Sequence, residues 1–376
     1  MITGIICEYN PLHLGHKKQI DWVKARDPEG LVVCLMSGNY VQRGKPAIYD
    51  KMVRAQAAID CGADLVLELP IPYCLSSAEG FAAGGVSILG KFCDRLCFGA
   101  ETDNTQALWE IAQALLSKDF PPLLTQALDT GLSFPAARQT ALAQMGLDAQ
   151  LLATPNNILA VEYCKAMISQ GCSMQPMAIL RQGDYHDPVA DRENPSATAV
   201  RALMENGGQW TDFVPAQANL QGCLHTLANG EKAILARLRT MTDEEFAALP
   251  YGSEGLWRKL MHASRQKATL EEILTAVKSK RYTRTRLDRM VMCAFLGLTA
   301  QDLNQTAPYV RVLAFNDRGR HVLKLARQTG EFYNIGQNID NPYQSLETRA
   351  GCLYGLFAAD PTPPDEESQY RVYYKV

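Results

Sequence analysis

The chain has 376 residues, of which 47% are hydrophobic and 20% are charged, and its formal net charge is −3 at pH 7. These proportions are typical of a folded globular protein of about two domains, and they exclude a disordered or low-complexity chain. No uncharged apolar stretch approaches the ~20 residues that a membrane-spanning helix needs, so we expect a cytoplasmic protein without a membrane partner.

Five short apolar runs alternate with helical patterns in the first part of the chain. They predict strands at residues 3–7, 31–36, 65–69, 95–98 and 177–180, with helices at 16–26, 50–61 and 77–91. Alternation of this kind indicates a parallel sheet. Because the runs are continuously apolar, we expect helices to cover both faces of that sheet.

Residues 103–145 and 156–167 have helical patterns, which predicts a helical insertion in the sheet domain. After Gly207-Gly208 the periodicity is mostly helical, at residues 231–239, 271–277 and 284–296. We therefore predict an α/β fold with two domains. The first, at residues 1–205, is a Rossmann-like parallel-sheet nucleotide-binding domain, and the second, at residues 206–376, is mostly helical and basic.

The first strand ends in Glu8-Tyr9-Asn10-Pro11, and the next helix opens with His13-Leu14-Gly15-His16. Ligands of such sheets bind beyond the carboxyl ends of the strands, and N–H groups at a helix N-terminus favour anions. Gly15 permits close approach of the backbone to a phosphate. His13 and His16 share one face of the first turn, where both can stabilise charge on an α-phosphate, so we predict that they are catalytic.

Two other interpretations of these histidines stay open. They can merely cap the helix, since a bare HxGH string also occurs by chance. They can also bind zinc, but a zinc site needs a third ligand and more usually has i, i+4 spacing on a helix. We expect no metal site in this chain.

The second strand leads into a basic loop that contains glycines, from Met36 to Pro46. It resembles a P-loop but departs from it, because five residues separate the two glycines and Pro46 stands where that motif has Ser or Thr. A plain polar connection is the alternative to a binding loop. The residues predicted to contact substrate or phosphates are Ser37, Gly38, Arg43 and Lys45.

Two later segments supply candidates at the same edge of the sheet. Gly99 follows the fourth strand and permits close approach of a base or a ribose. Asn156 and Asn157 open a helix after Pro155, an arrangement that fits a helix cap first and a ligand site second.

The segment after the last strand opens another helix with Ser196, Thr198 and Arg201. These side chains can hold the β- and γ-phosphates, and Arg201 can offset charge on the leaving group as a third catalytic residue. A capping serine and a solvated arginine are the alternative.

Positive charge is concentrated in residues 255–330, which contain fifteen Lys and Arg against five Asp and Glu. A basic run within that segment can neutralise several phosphates, and Tyr282 can stack on an unpaired base. A solvated helix face is the alternative to RNA binding. The predicted RNA-binding residues are Lys278, Lys280, Arg281, Arg284, Arg286 and Arg289.

The eleven cysteines are scattered, and the closest pair, Cys93 and Cys97, has three residues between its members. Without a CxxC pair, they indicate neither a disulfide framework nor structural zinc. Most lie in apolar patterns, among them Cys7, Cys34 and Cys293, where a free thiol behaves as a small buried hydrophobe.

Seven ordered motifs resemble the bacterial tRNA(Met) cytidine acetate ligase family of the HIGH-motif nucleotidylyltransferase superfamily. They are Glu8-Tyr9-Asn10-Pro11 with His13-x-Gly15-His16, Met36-Ser37-Gly38 with Gln42-Arg43-Gly44, Asp64-Leu65-Val66-Leu67-Glu68-Leu69-Pro70, Cys97-Phe98-Gly99, Pro155-Asn156-Asn157-Ile158-Leu159, Tyr185-His186-Asp187 and Lys280-Arg281-Tyr282-Thr283-Arg284-Thr285-Arg286. Leu12 and Leu14 depart from the family pattern, which often has Phe and Asn there.

The resemblance implies a two-step reaction. Acetate attacks the α-phosphate of ATP to give acetyl-adenylate, and the acetyl group then passes to N4 of the wobble cytidine of elongator tRNA(Met). ATP would enter with Mg²⁺ as a substrate, and we expect no tightly bound cofactor and no obligatory protein partner.

The resemblance also implies where ATP binds, with Asn156 favoured over Asn157. Together with Ser196 and Thr198, the expected ATP contacts are Ile6, Cys7, Glu8, Tyr9, Asn10, Pro11, His13, Gly15, His16, Gln19, Gly99, Asn156, Asn157 and Arg181. The chain lacks the KMSKS-type lysine motif of aminoacyl-tRNA synthetases. We therefore expect Arg181, Arg201, loop lysines and Mg²⁺ to neutralise the charge of the phosphates. His186 or Asp187 is a candidate for deprotonating the cytidine amine.

Two other functions stay open from the sequence. A coenzyme adenylyltransferase would share the sheet domain but has no evident need of the basic C-terminal part. An RNA-binding protein with a vestigial nucleotide site would have lost His13 or His16, and both are present.

Overall fold

The computed structural model describes residues 1–181, 191, 194–279, 281–364 and 366–376, apart from the side chains of residues 366 and 367. The strands are β1 Ile2–Cys7, β2 Leu31–Ser37, β3 Tyr40–Val41, β4 Lys45–Pro46, β5 Leu65–Leu69, β6 Arg95–Ala100, β7 Gln175–Leu180, β8 Val310–Asn316, β9 Phe332–Asn334 and β10 Tyr373–Lys375.

The α-helices follow in the same chain order. They are α1 Leu14–Arg26, α2 Lys51–Asp60, α3 Ile71–Cys74, α4 Ala78–Leu89, α5 Thr105–Leu116, α6 Phe120–Asp129, α7 Phe134–Gln144, α8 Pro155–Ser169, α9 Ala197–Glu205, α10 Leu227–Thr240, α11 Asp243–Ala247, α12 Leu256–Gln266, α13 Leu270–Val277, α14 Arg284–Leu296, α15 Ala300–Asn304, α16 Asp317–Ala326, α17 Tyr343–Tyr354 and α18 Glu366–Gln369. Short 3-10 helices lie at Ala149–Ala153, Thr211–Phe213 and Gly355–Phe357.

The central sheet has the strand order β10-β8-β5-β2-β1-β6-β7, with β9 paired to β8. All five strands predicted from the apolar runs lie in it and run parallel to one another, which confirms the predicted fold class. The chain leaves β1 towards β2 on one side and later crosses to β6 on the other. Ligands of open α/β sheets bind at such a reversal, beyond the carboxyl ends of the strands.

Helices cover both faces of the sheet, as the continuous apolar runs predict. On β2, Val33 and Leu35 pack into the core beneath α4, α5 and α8, whereas Val32 and Cys34 pack into the core beneath α1 and α2. The helical insertion is also confirmed, because α5, α6 and α7 occupy the segment between β6 and β7.

The C-terminal part is not wholly helical, because it adds strands to the same sheet. Strand β8 pairs antiparallel with β5 and carries β9 and β10 in parallel beside it. The sequence pattern does not predict β8. A short run that is buried on both faces has no hydrophobic period that distinguishes a strand from a helix. The boundary at residue 205 stays a prediction, but the sheet extends beyond it.

A third core lies among α10, α12, α13, α14 and α17, and it also buries Tyr40, Ile71 and Leu75 from the sheet domain. Within the described residues, none of the helices has the length and apolar character to cross a bilayer. Cys7, Cys34 and Cys293 are buried free thiols, as their sequence patterns indicate.

Candidate active site

The His13-x-Gly15-His16 motif forms the N-terminus of α1, directly beyond the carboxyl end of β1. His13 is the N-cap residue, and the two imidazole rings are stacked with their centroids 3.7 Å apart. The two residues form a reciprocal capping box. His13 Nδ1 accepts a hydrogen bond from the Gly15 N–H at 3.1 Å, and His16 Nδ1 accepts one from the His13 N–H at 3.3 Å.

This capping box determines the protonation of both rings. Because each Nδ1 atom accepts a hydrogen bond, the proton of each neutral ring is on Nε2. Burial, and to a smaller extent the charge of Arg181, lower the pKa of His16 to about 3. Burial lowers the pKa of His13 well below its ordinary value, and His16, Arg181 and Arg201 add to that shift. Both rings are therefore neutral Nε2–H donors at neutral pH.

The capping box also changes two expectations about the motif. The backbone N–H groups of His13 and Gly15 donate to the histidine rings, so anion binding at this terminus depends on the rings more than on those N–H groups. A Cβ on Gly15 would lie 3.0 Å from His13 Cε1. Glycine at this position thus leaves room for the His13 ring.

A connected polar group lies at the carboxyl ends of β6 and β7. Glu101 accepts hydrogen bonds from Asn156 Nδ2 at 2.6 Å, from the Asn157 N–H at 2.8 Å and from Thr154 Oγ1 at 2.8 Å. A carboxylate at this position stabilises the N-terminus of α8. Asn157 is buried, and its Oδ1 atom accepts from the Glu101 N–H at 2.8 Å. Asn157 is therefore engaged in the cap.

Arg181 joins this group to the histidines. Its Nη1 atom donates to Asn156 Oδ1 at 3.3 Å, and its charge acts on both imidazoles. A Cβ on Gly99 would lie 2.9 Å from Arg181 Cδ. Gly99 thus makes room for the Arg181 side chain, which the sequence did not predict.

The segment that opens α9 lies against the first loop. Arg201 donates from Nη1 to the Asn10 carbonyl at 2.5 Å and from Nη2 to Thr198 Oγ1 at 3.2 Å. Ser196 is buried and caps α9, accepting from the Ala199 N–H at 3.0 Å. Ser196 therefore caps α9, and phosphate contacts by Ser196, Thr198 and Arg201 stay predictions.

The other predicted ATP contacts lie along β1 and its loop. The side chains of Tyr9 and Asn10 face inwards: the Tyr9 hydroxyl is 3.3 Å from Cys34 Sγ, and Asn10 Oδ1 accepts from the Ile48 N–H at 2.7 Å. Gln19 donates to the Cys97 carbonyl at 3.3 Å. Buried Cys7 and Pro11 belong to the same segment, as does Ile6, whose side chain packs against Gly85.

Arg54 on α2 was missed from the sequence. It is fully buried, and its guanidinium donates to the carbonyls of Glu8 at 2.7 Å, Ser37 at 3.0 Å and Tyr49 at 2.8 Å, and also to that of Gly38. It thereby ties the ends of β1 and β2 together. A charged residue on the helix face of Ala57, Ala58 and Cys61 was the available signal.

The predicted substrate loop follows β2, the strand that pairs with β1. Ser37 is buried, and a Cβ on Gly38 would lie only 2.2 Å from Glu68 Oε1. Glu68 forms a buried ion pair with Lys51 at 3.0 Å. Burial raises the pKa of Glu68, an effect that Lys51 opposes.

Beyond Gly38 the loop forms the β3–β4 hairpin, which carries Arg43 and Lys45 towards α14. Gly44 has φ 72°, and a Cβ there would lie 2.4 Å from the Arg289 backbone nitrogen. The hairpin is linked back to the first loop, because the Gln42 N–H donates to Glu8 Oε1 at 2.8 Å. Contacts of Arg43 and Lys45 with phosphates stay predictions.

The predicted RNA-binding run is partly engaged within the protein. Arg284 pairs with Glu271 at 2.7 Å and with Asp288 at 2.8 Å, and Arg289 is buried and donates to the Gln42 carbonyl at 3.4 Å. The expectation that Tyr282 stacks on a base is wrong, because its ring is buried in the helical core.

Lys278 and Arg281 of the run are exposed to solvent. Lys280 lies outside the described residues, as do His186 and Asp187, the candidates for the base in the second step.

Two neutral imidazole donors and two arginines thus lie together where the strand order of the sheet reverses. Such a set can bind a triphosphate and stabilise negative charge that develops on a phosphorus centre. Among the described residues, no group of three or more His, Cys, Asp and Glu side chains lies close enough to hold a metal ion.

Comparisons with known proteins point to one family. Residues 1–369 match the HIGH Nucleotidyl Transferase family. The chain is 36% identical to the tRNA(Met) cytidine acetate ligase of Alkaliphilus metalliredigens, over 94% of each chain. It is 32% identical to that of Clostridium acetobutylicum, over 97% of this chain and 98% of the relative.

Solved structures agree with that similarity. The chain resembles apo TmcAL of Thermotoga maritima with a TM-score of 0.89 and 26% identity, over 99% of both chains. It resembles the same protein bound with alpha-thio ATP with a TM-score of 0.87 and 26% identity, over 100% of both chains.

Proposed function

The chain belongs to the HIGH nucleotidyl transferase family and within it to the tRNA(Met) cytidine acetate ligases, and from this membership we propose that it acetylates a tRNA cytidine with acetate and ATP. The observation that carries the proposal is the stacked pair His13 and His16, held as neutral donors beside Arg181 at the switch point of the sheet. A relative of the same fold binds an ATP analogue.

In the first step a carboxylate oxygen of acetate attacks the α-phosphorus of ATP, and the bond to the bridging oxygen breaks to release pyrophosphate. The Nε2–H groups of His13 and His16 donate to oxygens of the α-phosphate, which gain charge in the transition state. Arg181 and Arg201 offset the charge of the phosphates. Mg²⁺ arrives with ATP as part of the substrate and screens the same charge.

Neutral rings suit this role because they need no proton loss to act. A charged pair of imidazoles only 3.7 Å apart would repel, and two arginines already stand close by. Neutral donors add hydrogen bonds without adding to that repulsion.

In the second step the N4 amine of the wobble cytidine of elongator tRNA(Met) attacks the acetyl carbonyl carbon. AMP leaves with the electrons of the broken acyl–oxygen bond, and the amine loses one proton. The excess positive charge of residues 255–330 favours binding of the tRNA backbone. A tRNA substrate supports a cytoplasmic location for the reaction.

The test separates the two steps. Purified protein is incubated with labelled pyrophosphate, ATP and acetate without tRNA, and incorporation of label into ATP reports acetyl-adenylate formation. Elongator tRNA(Met) is then added, and N4-acetylcytidine is scored by mass spectrometry.

We expect His16→Ala to lower exchange by roughly 100-fold or more, as loss of a transition-state donor does. Lys18→Gln, an exposed change on the same helix, is the matched control and should keep wild-type exchange. Pyrophosphate exchange that does not depend on acetate, together with unmodified tRNA, would contradict the proposal. That result would favour a coenzyme adenylyltransferase instead.

A further inference from the structure

Three members of the basic run hold a turn of the backbone in place. Arg281 pairs with Glu254 at 2.6 Å, and the buried Tyr282 hydroxyl donates to the same carboxylate at 3.3 Å. Arg286 donates to the Tyr251 carbonyl at 2.8 Å and to Ser253 Oγ at 3.0 Å.

This turn is strained and leads directly into α12. Tyr251 has φ 66°, Glu254 has φ 59° and Gly255 has φ 77°. Non-glycine residues rarely adopt such angles and need support from their surroundings to hold them. Two of the six predicted RNA-binding residues, Arg281 and Arg286, thus support the turn that leads into α12.

Helix α12 presents a cationic face to solvent. Its buried side contains Leu256, Leu260 and Ala263, whereas Arg258 and Lys259 are exposed on the other side, with His262 one turn further on. Residues three and four positions apart share a face of a helix.

The charges of this face are not neutralised by the protein. Among the described residues, no Asp or Glu oxygen lies within 4.0 Å of Arg258 or Lys259. On the same helix Arg265, by contrast, pairs with Asp243 at 2.6 Å. Two unneutralised cations on a supported helix are complementary to a polyanion.

Tyr282 makes the face of α12 continuous with the basic run. Lys259 Nζ lies 5.8 Å from the centroid of the Tyr282 ring, and Arg286 Cζ lies 5.2 Å from the same centroid. The ring therefore makes cation–π contacts with one cation from α12 and one from α14.

We propose that the exposed face of α12, formed by Arg258, Lys259 and His262, binds the phosphate backbone of the tRNA substrate. The inference rests on the proposed function, because it names a surface that the same substrate contacts. Backbone contacts position a nucleic acid without reading its bases. This suits a face whose exposed long side chains, Arg258 and Lys259, are cationic, with the Arg258 guanidinium 4.8 Å from the centroid of the half-buried Trp257 ring.

The test is binding of an elongator tRNA(Met) transcript, measured by fluorescence anisotropy over a series of salt concentrations. We expect Arg258→Gln/Lys259→Gln to weaken binding roughly tenfold and to reduce the slope of log affinity against log salt by about 1 to 2, as loss of two phosphate contacts does. Arg258→Lys/Lys259→Arg keeps both charges and should keep the affinity.

Lys91→Gln/Lys118→Gln is the matched control, since it also removes two exposed charges but from outside the basic segment at residues 255–330. Pyrophosphate exchange without tRNA reports that each variant is folded. Wild-type affinity and salt slope in Arg258→Gln/Lys259→Gln would overturn the inference, even with the acetylation reaction intact. A changed sedimentation coefficient with unchanged tRNA affinity would also overturn it and assign the face to a protein contact. Loss of exchange and acetylation in the wild type would instead overturn the proposed function.

Discussion

At the scale of single residues, the HIGH motif works through its ring tautomers. Each histidine accepts a backbone hydrogen bond at Nδ1, so only its Nε2–H is left as a donor. Burial keeps both rings neutral, at a cost that appears when the protein is exposed to acid.

His16 should therefore make stability depend on pH. Its pKa is about 3 in the folded protein against 6.5 when unperturbed, so below pH 6.5 the unfolded chain binds a proton that the folded chain does not. This contribution to stability is fully present above pH 6.5 and falls as pH drops towards 3, by up to about 1.4 kcal/mol per pH unit.

Urea unfolding without ATP, at about pH 7 and about pH 5.5, measures this effect. We expect His16→Gln to lose roughly 1 kcal/mol less than the wild type between the two values. Lys18→Gln, which removes no imidazole, should lose as much as the wild type. An equal loss in His16→Gln would mean that the ring is not buried neutral.

At the scale of elements, α2 acts as a tie between two strand ends. Arg54 on α2 donates to the Glu8 carbonyl after β1 and to the Ser37 carbonyl at the end of β2. A buried arginine is costly to desolvate, and its hydrogen bonds to four carbonyls offset much of that cost. Its position indicates that it fixes the loop ends that support Glu8 and Gly38.

We expect Arg54→Lys to lower the free energy of unfolding by about 1 to 3 kcal/mol, because lysine leaves buried carbonyls without donors. Pyrophosphate exchange should show a lower kcat with little change in the KM for ATP, since Arg54 positions the loops without contacting ATP. Arg318→Lys is the control: Arg318 also donates to two carbonyls, those of Glu29 and Gly30, but is partly exposed. A similar effect of both changes on kcat would argue against a positioning role.

At the scale of the whole molecule, the C-terminal part completes the sheet. β8 covers the edge of β5, and Lys375 on β10 pairs with Asp60 at 2.7 Å. Leu313 and Ala314 of β8 also fill the core beneath α2. The catalytic sheet therefore depends on residues that lie far along the chain.

A fragment of residues 1–205 should consequently aggregate, because it exposes the apolar edge of β5. Coexpression with residues 206–376 should restore a soluble one-to-one complex, since the cut lies in the exposed loop at Gly207. Size-exclusion chromatography distinguishes the outcomes. A monomeric fragment 1–205 with cooperative unfolding would show that the first domain folds by itself.

Features that depend on local pattern could be predicted from the sequence. Five continuously apolar runs identified the parallel strands, and the position of His13 and His16 after the first run placed the site at the carboxyl edge of the sheet. Patterns of this kind persist because each strand and each helix must bury its own apolar face, whatever its neighbours are.

Contacts between distant groups, by contrast, could not be predicted and emerge from the packing of the fold. The hydrogen bonds of Arg54, the seat that Gly99 makes for Arg181 and the burial of Tyr282 all join residues from separate elements. The strand β8 likewise acquires its partner β5 from more than 240 residues away, about the span between Leu67 and Val312. Such contacts depend on how elements pack in three dimensions, and local sequence has no period or spacing that encodes them.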